Sequence, residues 1–289
     1  MNRLSTEKRA QILGMLVEGN SLRATSRMAG VSINTVSKLL VDIGAACTAY
    51  QDETLRDLPC KTIQADEIWS FVYAKAKNVP TEYKDDPGYG DVWTWTAICA
   101  DSKLAVSWLV GERKMHDCWM FIEDLKDRVR GRIQLSTDGL AAYRGVVGVV
   151  FSGDIDWATL HKHYQTERLA PGRYSPPVCT GVTVKRRLGD PDPAKVSTSY
   201  VERQNLTMRM GMRRFTRLTN AFSKKVENHA AAVAIHFMHY NFARPHTSLS
   251  LASPHGPKIK QTPAMAAGVA DRIWSLEDVV RLTEPVATL

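Results

Sequence analysis

No two cysteines stand close enough in this chain to suggest a bridge or a metal knuckle. The five, Cys47, Cys60, Cys99, Cys118 and Cys179, are odd in number and scattered singly, which argues against a disulfide framework and a zinc ribbon and points to a reducing compartment. The N-terminus, MNRLSTEKRAQI, lacks the apolar core of a signal peptide. The longest apolar stretch, around Ala230 to Met238, falls far short of the ~20 residues needed to span a bilayer, so a soluble intracellular protein is expected. A G-x-x-x-x-G-K nucleotide loop is also missing, and no nucleotide cofactor is expected.

What the chain does have is positive charge. Its formal net charge is +8 and its pI about 9.2, a balance that favours polyanions, nucleic acid before membrane, although many basic proteins bind nothing anionic. With 289 residues there is room for a large core and two or three domains.

The run IQADEIWSFV places Asp66 inside an apolar, β-rich segment, where an unpaired carboxylate would cost several kcal/mol. Alternation sets Ile63, Ala65 and Glu67 on one side of a strand and Gln64, Asp66 and Ile68 on the other, so Asp66 reads as an acid turned toward a cleft. DVWTWTAICAD and AVSWLVGER follow as second and third strands of an antiparallel meander. Helical spacing then covers His116 to Val129, and RIQLSTDGL reads as a buried strand ending at Asp138-Gly139. Strand, strand, strand, helix, strand, with acids inside the first and just past the fourth, is the opening of a ribonuclease-H-like α/β fold with a mixed sheet flanked by helices. Parallel pairing of the first and fourth strands would set Asp66 and Asp138 side by side. By itself, Asp138 before glycine is equally an ordinary turn residue.

Before this region, Ser5-Thr6, Ser21 and Ser32 start three helices, the first carrying Ile12, Leu13, Leu16 and Val17, the second Leu22, Thr25 and Ala29, the third Ile33, Val36, Leu39 and Leu40. The break at Gly30-Val31 gives the rhythm of a helix-turn-helix, with Asn34, Thr35, Ser37 and Lys38 on the exposed face of the third helix, a set suited to base edges and phosphates. A plain three-helix bundle used for dimerisation fits the same pattern. Periodicity continues past Ala45 and ends in a charged stretch at Pro59, so a domain boundary is expected near Leu58 to Cys60.

After a helix from Tyr143 and a fifth strand, DWATLHKHY, a basic segment of about 165–197 with Lys185, Arg186 and Arg187 reads as an inserted loop or subdomain suited to phosphate. His161 and His163 lack the cysteine or acidic partners of a zinc site. TSYVERQNLTMRMGMRR reads as a helix with Glu202, Arg209 and Arg213 on one stripe beside Val201, Met208 and Met212. Glu167 and Glu227 are rival acids. The helix Lys224 to Phe242 can pack on the sheet through Val226, Ala230, Val233 and Phe237. Arg244 and His246 after it suit DNA contact, bracing of the Glu202 helix, or a structural turn.

Asp66, Asp138 and Glu202, in this order and setting, resemble the D-D-E triad of transposases and retroviral-type integrases. Ser136 to Tyr143 (STDG-x-x-x-Y), Asn241 to Leu249 (N-x-x-R-P-H-x-S-L) and Thr262 to Ala264 are similar to stretches of bacterial insertion-sequence transposases, especially the insertion-sequence-one-like group. The interval between Asp138 and Glu202 is much longer than the integrase spacing. The resemblance, over about Thr62 to Ala267, implies catalysis and metal binding by Asp66, Asp138 and Glu202, with two Mg²⁺ ions that Mn²⁺ can replace. It also implies DNA contacts by the basic residues named above. Double-stranded DNA, both element ends and target, would be the partner, bound by a homo-oligomer in the bacterial cytoplasm at the nucleoid. The domains expected are 1–58 (helix-turn-helix), 59–250 (catalytic) and 251–289 (tail). A related nuclease without strand transfer, or a helix-turn-helix regulator with an inactive second domain, would fit the same charge and pattern.

Overall fold

The computed structural model describes residues 4–84, 86, 88–165, 178–216, 220–253 and 256–284. Three helices come first, α1 (Thr6–Val17), α2 (Leu22–Ala29) and α3 (Ile33–Thr54). Each starts at a serine whose hydroxyl accepts a first-turn amide: Ser5 from Lys8, Ser21 from Ala24 and Ser32 from Thr35. A cap of this kind is worth about 1 kcal/mol. The chain leaves α2 through Gly30 at φ 65°, a left-handed cap that glycine adopts without a Cβ penalty.

The third helix does not pause at Ala45. It runs on to Thr54, and Arg128 stops it by donating through Nη1 to the carbonyls of Gln51 and Leu55. Its inward face is Val36, Leu39, Leu40, Ile43 and Cys47. Ile33, expected inward, is 41% exposed, because the first residue of the helix lies at the mouth of a cleft of about 800 Å³ between α1–α3 and the stretch from Gly211 to His236.

The strands are β1 (Thr62–Val72), β2 (Gly90–Cys99), β3 (Ala105–Gly111), β4 (Gln134–Thr137), β5 (Asp156–Gln165) and β6 (Val178–Leu188). They form one mixed sheet in the order β3-β2-β1-β4-β5-β6, with β1 parallel to β4, β4 parallel to β5, and the other neighbours antiparallel. Helices α4 (Met115–Arg128) and α5 (Ala141–Val150) complete this part. The expected meander, crossover helix and acid-tipped fourth strand are all present. The mixed sheet flanked by helices is compatible with the ribonuclease-H-like arrangement. Val178–Leu188, expected within a loop or subdomain, extends the sheet instead. Its β-branched alternation, Val178, Thr180, Val182 and Val184, suits a pleated strand. The rest of that segment, 166–177, lies outside the described residues.

The two faces of the sheet are covered differently. Trp95, opposite Glu67, packs on Phe121 of α4 and Tyr143 of α5. The other face carries α6 (Ser199–Gly211) and α7 (Val226–Met238), and Phe237 of α7 stacks on Trp108 of β3 at 4.8 Å between ring centroids. A second helical layer, α3, lies on α7 so closely that a Cβ at Gly44 would collide with the Ala231 backbone. Residues Ala231 to Met238 are buried on every side, as expected of a helix sandwiched between a sheet and another helix.

Two short helices follow, α8 (Pro263–Ala266) and α9 (Leu276–Arg281). α9 packs on α1, and Arg9 of α1, 5% exposed, pairs with Glu284 at 2.6 Å. The buried core runs without interruption from Ile12 and Leu40 through the sheet to Val279 and Val280. No helix among the described residues is long and apolar enough to cross a membrane.

Candidate functional site

The parallel register decides where the acids meet. β1 and β4 pair from Thr62 with Gln134 to Ala65 with Thr137, so the next residues, Asp66 and Asp138, emerge level with each other where β4 ends. Glu67 joins them: one carboxylate oxygen from each of Asp66, Glu67 and Asp138 lies within 4.8 Å of the other two. Asp138 is also a turn residue, its Oδ1 accepting the Leu140 amide at 2.8 Å. Its Oδ2 is left for the cluster and stands 3.7 Å from Arg113 Nη2. The glycine after it is required by close approach, since a Cβ at Gly139 would collide with the His161 ring.

Helix α6 is laid across β1 by polar anchors. Gln64 Oε1 accepts the amides of Tyr200 and Val201 at 2.8 and 3.3 Å, and Gln204 Nε2 bonds His236 Nε2 of α7 at 3.0 Å. Val201 and Met208 bury against the core as expected. One turn apart on the same helix, Asn205 reaches Asp66, while Glu202 stands outside the three clustered acids but near enough for its charge to act on Asp66. Asn205 Nδ2 donates to Asp66 Oδ2 at 2.9 Å. Glu202 receives Lys162 Nζ of β5 at 2.6 and 2.5 Å on its two oxygens and the Thr198 hydroxyl at 2.7 Å.

Burial and crowding raise two of these carboxyls. Asp66 is pushed up to about 6, first by burial and then by the charges of Asp138 and Glu202. Glu67 is pushed up to about 8 by burial and by Asp138, against the opposing pull of Tyr143 and Arg113. The Tyr143 hydroxyl donates to Glu67 Oε1 at 2.6 Å, while Arg113 donates to Oε2 through Nε at 3.2 Å and rests on the Trp93 ring. This set of hard oxygen donors fits a metal ion. Asn205 Oδ1, buried beside Asp66 without a hydrogen-bond partner, is a further oxygen that such an ion or its water would satisfy.

The rival acids are less well placed. Glu227 is exposed in the first turn of α7, beside the Val72 end of β1, where Ser223 bridges Val72. Glu167 lies outside the described residues.

The expected DNA-contact residues come from α3, β6, α6 and the stretches after α6 and α7. Asn34 and Lys38 are exposed, but Lys38 pairs with Asp42 at 2.7 Å. Thr35 Oγ1 bonds Ser32 Oγ at 2.9 Å, and Ser37 Oγ accepts Asn228 Nδ2 of α7 at 3.5 Å. On β6, Lys185 is exposed, Arg186 pairs with Asp190 at 3.0 Å and Arg187 donates to Thr159 Oγ1 at 3.1 Å. Arg209 is on α6, but the stripe proposed to continue to Arg213 is broken: the helix ends at Gly211, and Arg213 sits exposed in a 3₁₀ turn.

Arg244 is exposed, and His246 bonds Ser248 through Nδ1 and donates its amide to Gln261. The motif containing both is anchored by Asn241, whose amide exchanges two hydrogen bonds with the backbone of Ala105 on β3, at 2.9 and 3.0 Å. The run therefore clasps the sheet.

Sequence reasoning missed Glu67, Asn205, Lys162, Arg113 and Tyr143 as parts of this site. The adjacent acids of Asp66-Glu67, and Tyr143 in the STDG-x-x-x-Y stretch, were the available signals. Lys162 and Arg113 gave none.

No protein-family model and no curated protein matches the chain. Among solved structures it is similar to a pre-cleavage Mos1 transpososome, with 9% identity and a TM-score of 0.23 over 54% of this chain and 60% of that one. The match thus spans less than two thirds of that chain, and a likeness this low bears on neither fold nor activity.

Proposed function

We propose that the chain is a DNA transposase that cuts DNA at element ends and joins the freed 3′-hydroxyl to a target. The observation that carries this reading is the convergence of Asp66, Asp138 and the Glu202 helix at one end of the β1–β4 pair. Three acids from separate elements, one of them braced by an amide, suit hard cations better than they suit fold stability, which crowded carboxylates weaken.

Asp66 stands at the centre and would be shared between two Mg²⁺ ions, with Asp138 and Glu202 each completing one. Bound there, the ions would make a water or 3′-hydroxyl oxygen a competent nucleophile and relieve charge on the departing oxygen. The oxygen attacks phosphorus, the bond from phosphorus to the 3′-oxygen breaks, and that oxygen leaves as the new 3′-hydroxyl. Lys162 would exchange its partner, Glu202, for a DNA phosphate when the site fills. Glu67, held by Tyr143 and Arg113, would fix Asp138 through the shared guanidinium.

The first three helices, about 1–58, would recognise element ends through Asn34, Thr35, Ser37 and Lys38. They would be seated on the catalytic part, 59–250, by the packing of α3 on α7, with α9 of the tail expected over 251–289 bracing α1. Lys185, Arg186, Arg187, Arg209, Arg213, Arg244 and His246 would contact the DNA backbone, and the working form would be a homo-oligomer on DNA.

The test is incubation of the full chain with Mg²⁺, a labelled duplex carrying the ends of its own element, and a target plasmid. Nicking at the ends followed by joined product is expected. Nicking without joining would make the chain a nuclease, and binding without nicking would make it a regulator.

A further inference from the structure

The residue that the acid triad leaves unexplained is Asn205. Its side chain lies one turn beyond Glu202 on α6 and is 4% exposed. Its amide orientation is set by chemistry: Nδ2 donates to Asp66 Oδ2 at 2.9 Å, and the reverse orientation would press an amide oxygen against a carboxylate. Oδ1 is thereby committed as an acceptor, buried, with no partner.

Buried side-chain oxygens are nearly always satisfied, and this one has company. Five buried side-chain polar atoms among the described residues lack a partner, and three of them, Asn205 Oδ1, Thr96 Oγ1 and Thr94 Oγ1, lie on the Asp66 face of the sheet. Thr96 is directly opposite Asp66 across the β1–β2 ladder, so the two side chains share a face. Thr94, two residues along, points the same way. Apolar packing would not leave three oxygens unpaired on the face that carries one carboxylate. An occupant rich in positive charge or in water would pair all of them.

We propose that Asn205 Oδ1 is a direct, neutral ligand of the divalent cation held by Asp66, with the Thr96 hydroxyl reached through a water of that ion. The inference rests on the cation site proposed above and deepens it. Asn205 thereby does two things at once: its nitrogen orients Asp66 and its oxygen adds a donor without adding charge. A neutral ligand suits a place where Asp66, Asp138 and Glu202 already supply more negative charge than Arg113 and Lys162 offset.

The experiment is calorimetric titration of the full-length chain, freed of metal, with Mn²⁺, beside thermal melting with and without the ion. Asp66→Asn should abolish binding at the site. Asn205→Ala should weaken it by about 10-fold or more, since loss of even an outer-shell partner of a ligand costs about 10- to 100-fold. Asn205→Asp, which keeps an oxygen in place, should bind Mn²⁺ at least as tightly as the unaltered chain. It should melt lower without the ion, because a carboxylate then faces Asp66, and regain that loss when Mn²⁺ is added.

Mn²⁺ binding within about twofold of the unaltered chain in Asn205→Ala, the lower edge of that range being well outside it, overturns the assignment of Asn205 alone. Should the alanine variant fail to fold, Asn205→Asp decides, and weakened binding there overturns the inference. An unaltered chain that takes up no Mn²⁺, or an Asp66→Asn variant that binds normally, overturns the underlying cation site and this inference with it.

Discussion

Asp66 and Glu67 are neighbours on β1, and they enter two different environments. Glu67 points toward α4 and α5, where a tyrosine hydroxyl and a guanidinium engage its two oxygens. Asp66 points toward α6, where its side-chain donor is the neutral Asn205 amide and the oxygens around it are unpaired. A carboxylate supplied with donors by the protein is built to hold something in place. One left short of positive charge is built to receive it. The difference separates a positioning acid from a binding acid more sharply than burial does, since both are drawn out of water.

The largest expected effect tests that division directly. Asp66→Asn should reduce Mg²⁺-dependent nicking to the level of a protein-free control, whereas Glu67→Gln should leave measurable nicking. Equal loss in both, in variants with unaltered circular dichroism, would erase the distinction. Next comes the acid of α6, Glu202. Glu202→Gln should abolish strand transfer and Glu227→Gln should leave it largely intact, scored as joined product on a gel; the reverse result would move the third acid to α7.

On the Glu67 side the effect is on stability. Tyr143→Phe removes a buried donor from an acid and should cost about 1–3 kcal/mol in urea denaturation. An indifferent variant would mean that the Tyr143 hydroxyl is not what satisfies Glu67.

The smallest effect is a slope with pH. The Glu67 carboxyl, pushed up to about 8 from an ordinary 4.5 chiefly by burial, binds its proton more tightly folded than unfolded. Its contribution to stability is therefore greatest at low pH and falls as pH rises toward 8. His229 and His236, pushed down to about 3 by burial, act in the opposite direction below their ordinary 6.5. The window free of those two histidines is pH 6.5 to 8. There, without metal, the stability of the unaltered chain should decline with pH relative to Glu67→Gln. A difference that stays flat with pH would mean that the carboxylate is ionised throughout.

Much of this site was readable in the chain because its signals are local. Strand alternation put Asp66 and Glu67 on opposite faces, and they are. The strand, strand, strand, helix, strand order implied a parallel β1–β4 pair and hence two level aspartates. Val201 and Met208 around Glu202 gave a helix with a buried side. What escaped were contacts between positions far apart in sequence: Arg113 with Glu67, Lys162 with Glu202, Asn205 with Asp66. No periodicity encodes them. Glu67 escaped for a related reason, since alternation excluded it from the Asp66 face while Asp138, free of the ladder beyond the end of β4, reaches both.

The amino-acid sequence by itself determined the elements, because serine caps, alternation and helical spacing act over a few residues and need no partner. It also determined that Asp66 and Asp138 would end up level, since strand polarity in a crossover unit allows little else. Tertiary structure decided which carboxylates are supplied with donors and which are left short. That depends on where α5, α6 and β5 come to rest over β1, and those positions are set by burial of whole faces such as Phe237 on Trp108 and α3 on α7, in which no single residue carries the information.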